Sequence, residues 1–370
     1  MTVSVTSRLV LGSAELGPHE LANRAVVAPM SRVSAGPGGV PTRQMADYYA
    51  SFAAGGFGLV LTEGTYPDAA FGQAYQRQPG LVDDGQQQGW QLVTEAVHAH
   101  GAVVIAQLMH AGALSQYLTE TLAPSAIQPL GRKLSAYGGD GPFPLPSAMT
   151  AAQIDSAVNG FVDAAKRAHR AGFDGVEIHA ANGYLLDQFI TRYTNTRTDE
   201  YGGDSAGRIR LTGRVLAAIR SALPAEFVVG VRLSQTKVND MRYRWSGRAE
   251  AAVYFAAVAE AGADFIHIAS EGRNWHETAM LDAETSVTAL ARAVTGLPVI
   301  ANGGMHRPEL AEELLRTGQA DLVSLGGGAL ANPDWPHRLR DGRPIEEFDH
   351  HVLNPSADLD SVRAAMAARS

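Results

Sequence analysis

Eight short apolar runs recur along the chain, each separated from the next by a stretch patterned like a helix. They are Ala25-Val-Val-Ala-Pro-Met30, Gly58-Leu-Val-Leu-Thr62, Ala102-Val-Val-Ile-Ala106, Gly175-Val-Glu-Ile178, Phe227-Val-Val-Gly-Val231, Phe265-Ile-His-Ile268, Pro298-Val-Ile-Ala301 and Asp321-Leu-Val-Ser-Leu325. Short and mostly β-branched, they read as buried strands. The intervening pattern predicts helices over 42–54, 84–100, 151–171, 205–222, 247–261, 284–294 and 307–317, and Thr150 with Gln153 makes a capping box at the start of the third. Such alternation implies parallel strands with crossover helices. Eight units are the count of a (β/α)8 TIM barrel; a doubly wound sheet is the second reading. Residues 1–22 predict a short hairpin or extended lead-in, turning at Gly12 and at Gly17-Pro18. The Pro/Gly-rich segment 112–147 shows little periodicity and reads as a long functional or mobile loop. With no internal repeat and no linker-like stretch, one α/β domain over residues 1–370 is expected.

Composition narrows the function classes. Hydrophobic residues make up 45% of the chain, enough for a sizeable core. The net charge is −8, and no basic cluster interrupts it, which argues against nucleic acid or an anionic membrane as partner. The chain has no Cys, so disulfides, a thiolate nucleophile and a zinc–thiolate site are excluded; this fits a cytoplasmic protein. Residues 1–10 lack the basic and apolar regions of a signal peptide, and no apolar run is long enough to span a bilayer.

The chemistry collects where the strands end. After the fourth run comes His179-Ala-Ala-Asn182-Gly-Tyr184: an imidazole, an amide and a phenol at the mouth of one strand. Together these groups can bind a carbonyl oxygen and deliver a proton. The other ends supply Ser31, Gly64, Gln107, Arg232, the pair Gly303-Gly304 and the run Gly326-Gly327-Gly328. In a barrel they would share the C-terminal face, where active sites lie. No carboxylate pair suited to glycoside hydrolysis and no metal-ligand spacing is among them. The glycine turns after the last two strands fit a phosphate cradle, since bare backbone N–H groups approach an anion closely. Residues Gly326–Ala331 also match G-x-G-x-x-A, but no second strand follows, so a Rossmann unit is rejected. Polar groups around a flat heterocycle, with one Arg and a phosphate cradle, describe a flavin mononucleotide (FMN) site.

Over nearly its whole length the chain resembles the Old Yellow Enzyme family of FMN-dependent ene-reductases. The stretches that carry the resemblance are Asn23–Arg32, Leu61–Thr65, Ala106–Gly112, His179–Phe189, Asn195–Gly203, Val231–Ser234, Ala301–Met305 and Ala331–Asp334. By position, the resemblance implies that Ala28, Pro29, Met30 and Ser31 line the flavin, with Ser31 near its O4/N5 side. It places Gly64 and Gln107 against the isoalloxazine ring and Arg232 at the N1/C2=O end. Gly303, Gly304, Gly326 and Gly327 fall on the phosphate side. His179 and Asn182 would hold the substrate oxygen and Tyr184 would be the proton donor.

The implied reaction reduces activated C=C bonds of α,β-unsaturated carbonyl compounds with NADH or NADPH. Hydride goes from flavin N5 to the β-carbon and a proton from Tyr184 to the α-carbon. Two other readings stand beside it: an FMN-dependent biosynthetic dehydrogenase, isomerase or aromatase on the same fold, and a non-redox barrel that binds a phosphorylated ligand. The nicotinamide preference, the physiological substrate and any homo-oligomer are left open. Trp275, with Arg273 and His276, is expected either to cap the substrate side or to pack on the rim. Tyr75 is expected in rim packing. Two positions depart from the family pattern. Gly327 stands where relatives commonly have a phosphate-gripping Arg, and Ala113 where many have Arg. The first implies that FMN would rely on backbone donors or on another cation such as Arg307.

Overall fold

In the computed structural model, which describes residues 8–270 and 275–367, the eight expected runs form one closed barrel. Its strands are β1 (Ala25–Val27), β2 (Leu59–Leu61), β3 (Val103–Leu108), β4 (Gly175–Asn182), β5 (Val228–Lys237), β6 (Phe265–Ile268), β7 (Val299–Asn302) and β8 (Leu322–Leu325). Each pairs in parallel with its sequence neighbour, and Val323 of β8 faces Ala25 of β1 to close the circle. Closure rules out the open doubly wound sheet. The lead-in is an antiparallel hairpin, Ala14–Leu16 with His19–Leu21. Among the described residues, no helix is long and apolar enough to cross a membrane.

Alternation along each strand sorts the side chains into two environments. One set faces the helices, where Val104, Val176, Val229 and Val323 join Trp90 and Phe161 in the main core. The other set fills the barrel lumen. At the N-terminal end that lumen is apolar: Leu16 and Leu21 of the hairpin plug it against Val26, Leu59, Val103, Val228, Phe265 and Ile300. Gly230 is needed there, because a Cβ on it would lie 2.1 Å from the Phe265 ring. One layer further up, the lumen turns polar, with Gln107, Glu177, His267 and Ser324 all buried. The site therefore sits on a polar layer that is itself carried by a dry plug.

The helices begin where the sequence places caps. Thr150 and Gln153 form the expected capping box, and Thr42, Asp83, Asp204 and Ser286 each accept from a backbone N–H of the following turn. Strand lengths differ from expectation. β1 stops at Val27 because Pro29 has no N–H to continue the ladder. β4 and β5 instead run past the barrel rim as a two-stranded extension, with an irregularity between Ala180 and Asn182. Short helices at Leu185–Ile190, Gly327–Ala331 and Trp335–Asp341 were not visible as patterns. The loop 112–147 holds two short parallel strands, Leu122–Ala123 and Ser147–Ala148. Arg197 ties that loop down by donating to Pro124 O at 3.0 Å and Met149 O at 2.7 Å.

Candidate active site

A cavity of about 970 Å³ opens at the C-terminal ends of the strands. That volume is at the upper end for cofactor and ligand sites. Its lining brings together Pro29, Met30, Ser31, Gly64, Gln107, His179, Asn182, Tyr184, Arg232, Gly303, Gly304, Gly326 and Gly327. Two expected residues are elsewhere. Ala28 is buried at 3% exposure and hydrogen-bonds Leu325 O, so it serves the barrel wall. Trp275, also 3% exposed, belongs to the core, with its Cα 3.6 Å from where a Cβ on Gly303 would be. It backs the glycine turn and does not line the cavity. Arg273 lies outside the described residues.

The imidazole–amide–phenol trio is built by the β4 extension. His179 pairs in register with Arg232 of β5. Burial, then the nearby Arg232 charge, holds His179 well below the usual histidine range, so its ring is neutral. Its Nδ1 is buried with no hydrogen-bond partner in the protein. Such an atom is costly unless a ligand meets it. Asn182 has φ 64° and Gly183 φ 89°, a left-handed pair that swings the chain from strand to helix. That turn is fastened from below. The Gly183 N–H donates to Asp187 at 2.7 Å, and Asp187 pairs with Lys237 at 2.6 Å; neither partner is more than 1% exposed. Lys237 also donates to Ser234 O, whose hydroxyl accepts from the Asn182 N–H at 2.9 Å.

Tyr184 follows the turn and opens the helix Leu185–Ile190. Its ring lies 5.1 Å from that of His179, and its phenol oxygen is 2.6 Å from that of Tyr75. Tyr75 lines the cavity, contrary to the rim-packing expectation, and stacks on Tyr137 of the long loop at 4.7 Å. Burial pushes the Tyr75 phenol well above its ordinary value, so it is protonated at neutral pH. The turn after β2 also carries a buried acid. Glu63 accepts from the Arg32 N–H at 2.8 Å and lies 3.2 Å from the Tyr49 hydroxyl, and burial pushes its carboxyl up to about 7.

The glycine end is built differently. Gly303 and Gly304 have φ 111° and 79°, backbone that side chains rarely adopt. A Cβ on Gly327 would lie 2.8 Å from the Phe348 ring, and one on Gly328 only 2.2 Å from His306 Cβ. Phe348 therefore occupies the room that an Arg at position 327 would need, and His306 crowds position 328. The cation named as its substitute, Arg307, is exposed and does not line the cavity; its Nε faces Gly304 O at 3.4 Å. His306 lines it instead, next to Glu347 at 3.2 Å. The residues present fit a flavin with a phosphate: a deep slot, an orphaned imidazole nitrogen, a buried Arg and a bare-backbone cradle at the far end.

Sequence comparison gives the same assignment. A profile of the NADH:flavin oxidoreductase / NADH oxidase family matches residues 14–346. A probable flavin mononucleotide-dependent alkene reductase of Leishmania infantum is 34% identical, over 90% of this chain and 91% of its own. A rice (Oryza sativa subsp. japonica) protein named 12-oxophytodienoate reductase 7 is 33% identical, over 86% of this chain and 84% of its own. The chain spans about half the length of two further relatives, a metal reductase of Desulforamulus reducens (33% identical, 49% of its length) and an NADH oxidase of Thermoanaerobacter brockii (32%, 50%). Among solved structures, an old yellow enzyme homologue from Zymomonas mobilis superposes with TM-score 0.84 at 29% identity, covering 95% of this chain and 98% of that one. Morphinone reductase gives TM-score 0.82 at 30% identity, covering 95% and 94%.

Proposed function

The chain belongs to the NADH:flavin oxidoreductase / NADH oxidase family, that of the old yellow enzymes, and from that premise we propose that it is an FMN-dependent ene-reductase using NADH or NADPH. When bound, FMN supplies hydride transfer between the nicotinamide and the alkene. The protein's own residues supply the rest. Pro29, Met30, Ser31, Gly64, Gln107 and Arg232 line the wall that would take the ring, and Gly303, Gly304 and Gly326–Gly328 the end that would take the phosphate. Met30, Met109 and the glycine turns also line this cavity. A solved morphinone reductase complex holds tetrahydroNAD, which supports a nicotinamide as the reductant.

His179 and Asn182 hold the substrate oxygen. A neutral, buried imidazole is suited to this, because it donates one N–H without adding a charge that the site would have to solvate. Polarising that oxygen makes the β-carbon electron-poor. Tyr184 donates a proton to the α-carbon, and Tyr75, 2.6 Å from its oxygen, steadies the phenol's orientation. The observation that carries the reading is the trio of His179, Asn182 and Tyr184 on one side of a cavity whose other end is a glycine cradle. The whole chain acts as one FMN-binding barrel in this reading.

The test is stopped-flow kinetics on Tyr184→Phe. A positioned general acid contributes about 10²–10⁴-fold. The expected result is near-normal reduction of the bound FMN by nicotinamide and at least a hundredfold slower reoxidation by a cyclohexenone-type substrate. Slow nicotinamide oxidation with intact enone turnover would overturn the assignment of Tyr184. A purified protein that is colourless and takes up no FMN would overturn the reading as a whole.

A further inference from the structure

Directly beneath the cavity floor lies a chain of buried polar groups with no part in holding substrate. Gln107 donates from Nε2 to Glu177 Oε1 at 2.7 Å. The other carboxylate oxygen, Oε2, meets His267 Nδ1 at 2.7 Å. His267 Nε2 lies 2.8 Å from Ser324 Oγ, which accepts from Asn302 Nδ2 at 3.0 Å. Glu177, His267 and Ser324 are each 0% exposed. Five strands of the barrel, β3, β4, β6, β7 and β8, meet in this one run of hydrogen bonds. Gln107, Asn302 and Ser324 also line the cavity, so its two ends surface there.

The hydrogens along this chain can be assigned from one end to the other. Burial and Arg232 disfavour the imidazolium of His267, while His267, Arg232 and Gln107 keep Glu177 ionised against its burial. A carboxylate only accepts. His267 therefore donates from Nδ1 to Glu177 and accepts at Nε2 from the Ser324 hydroxyl, which is thereby free to accept from Asn302. Every donor points toward Glu177. Both terminal amides spend an N–H inward, on Glu177 and on Ser324, and this turns the carbonyl oxygens of Gln107 and Asn302 into the acceptors offered to the cavity. Glu177 thus fixes which end of the Gln107 amide a ligand meets. Its negative charge also offsets that of Arg232 on the neighbouring strand, with which it interacts.

We propose that Glu177 is a positioning residue for the cofactor: it holds the Gln107 amide with its oxygen toward the ring N–H of the flavin, and its buried charge sets the reduction potential of the bound FMN. The inference rests on the flavin reading above. A reduced flavin carries negative charge around its pyrimidine ring, and a like charge in a low-dielectric interior opposes that charge. Arg232 alone would raise the potential, and Glu177 moderates it.

Glu177→Gln removes the charge while keeping the wiring. The new carbonyl accepts from Gln107, the new amide donates to Nδ1 of the other His267 tautomer, and Nε2–H then donates to Ser324. The bound-FMN midpoint potential, measured by photoreduction against a reference dye, is expected to rise by at least a tenfold change in the two-electron equilibrium, about 30 mV. An unchanged or lowered potential in a yellow, FMN-saturated variant would overturn the proposal. Glu177→Asp keeps the charge but withdraws the carboxylate. Here the potential should stay near that of the parent while FMN affinity, read from flavin fluorescence, falls at least fivefold; intact affinity would overturn the positioning role. The Asp variant carries the test by itself should the Gln variant not fold. If the parent protein takes up no FMN, the functional reading fails first; if the parent is yellow and the variants behave like it, only this inference fails.

Discussion

The two ends of the cavity are held by opposite means. At the β4–β5 end, the groups assigned to the substrate oxygen and the proton stand on buried charge, the Asp187–Lys237 pair under the turn. At the β7–β8 end, the wall is glycine backbone, overlaid by Phe348 and flanked by His306. The physical difference is one of tolerance. A buried ion pair cannot lose one partner without stranding the other. A glycine turn under an aromatic ring can be rebuilt by exchanging one bulk for another.

The largest effect is expected where that intolerance is greatest. Lys237→Met strips Asp187, at 0% exposure, of its cation while the Gly183 N–H still donates to it. Breaking a buried pair from one side costs about 3–5 kcal/mol, and urea unfolding should show a loss of that size. Because Asp187 also fastens the Asn182–Gly183 turn, enone turnover should fall further than FMN affinity. Equal losses in both would mean that the two ends of the cavity are not independent.

Glu63, in the turn after β2, gives a second probe of buried charge near the cavity. Burial raises its carboxyl from the ordinary 4.5 to about 7. Between those values the unfolded chain releases a proton that the folded chain keeps. Stability therefore falls as pH rises through this window, by about 3 kcal/mol in all, and the loss is complete above pH 7. Glu63→Gln can still accept from the Arg32 N–H and removes the titration. His179 and His267, held neutral by burial, add a pH dependence common to parent and variant, so the difference between the two unfolding free energies is the readout: it should fall by about 3 kcal/mol as pH rises from 4.5 to 7. A difference that does not change with pH would assign the dependence to another group.

How much of this was legible in the sequence follows the same division. The eight runs located all eight strands, and the polar residues at their ends located the trio, because a strand's last residue must face the rim. Chain order alone could not show that β4 and β5 continue past the rim, since Ala180 to Asn182 and Ser234 to Lys237 break the apolar pattern that marked the barrel. Glu177 and His267 carried a usable signal, each a polar residue at an alternate position inside an apolar run. Such a position faces the barrel lumen. Tyr75 and Phe348 had no such signal. One reaches Tyr184 from 109 residues away, and the other covers Gly327 from a tail without periodicity. Trp275 is open in the sequence for the converse reason: an indole beside a strand end suits a cap and rim packing equally, and only the packing decides.

The smallest expected effect is the one that most sharpens the contrast between the two ends. An Arg introduced by Gly327→Arg would ordinarily add a charge-assisted contact to an FMN phosphate, worth about 1.5–3 kcal/mol. Here the first atom of the new side chain meets the Phe348 ring at 2.8 Å, so the ring must move before the guanidinium can be placed. Overpacking of this kind typically costs about 1–3 kcal/mol. The two terms nearly cancel, and the single variant should bind FMN within about threefold of the parent. Phe348→Ala alone loses the cover and should weaken binding slightly. The double variant has both the room and the charge, so its affinity should exceed that of either single variant by about tenfold or more, as read by flavin fluorescence at two salt concentrations. Non-additivity of that sign is what a glycine chosen for the ring above it requires. Strictly additive changes would mean that Phe348 and position 327 do not share the same space in solution, and that the phosphate end is held by something other than the cover described here.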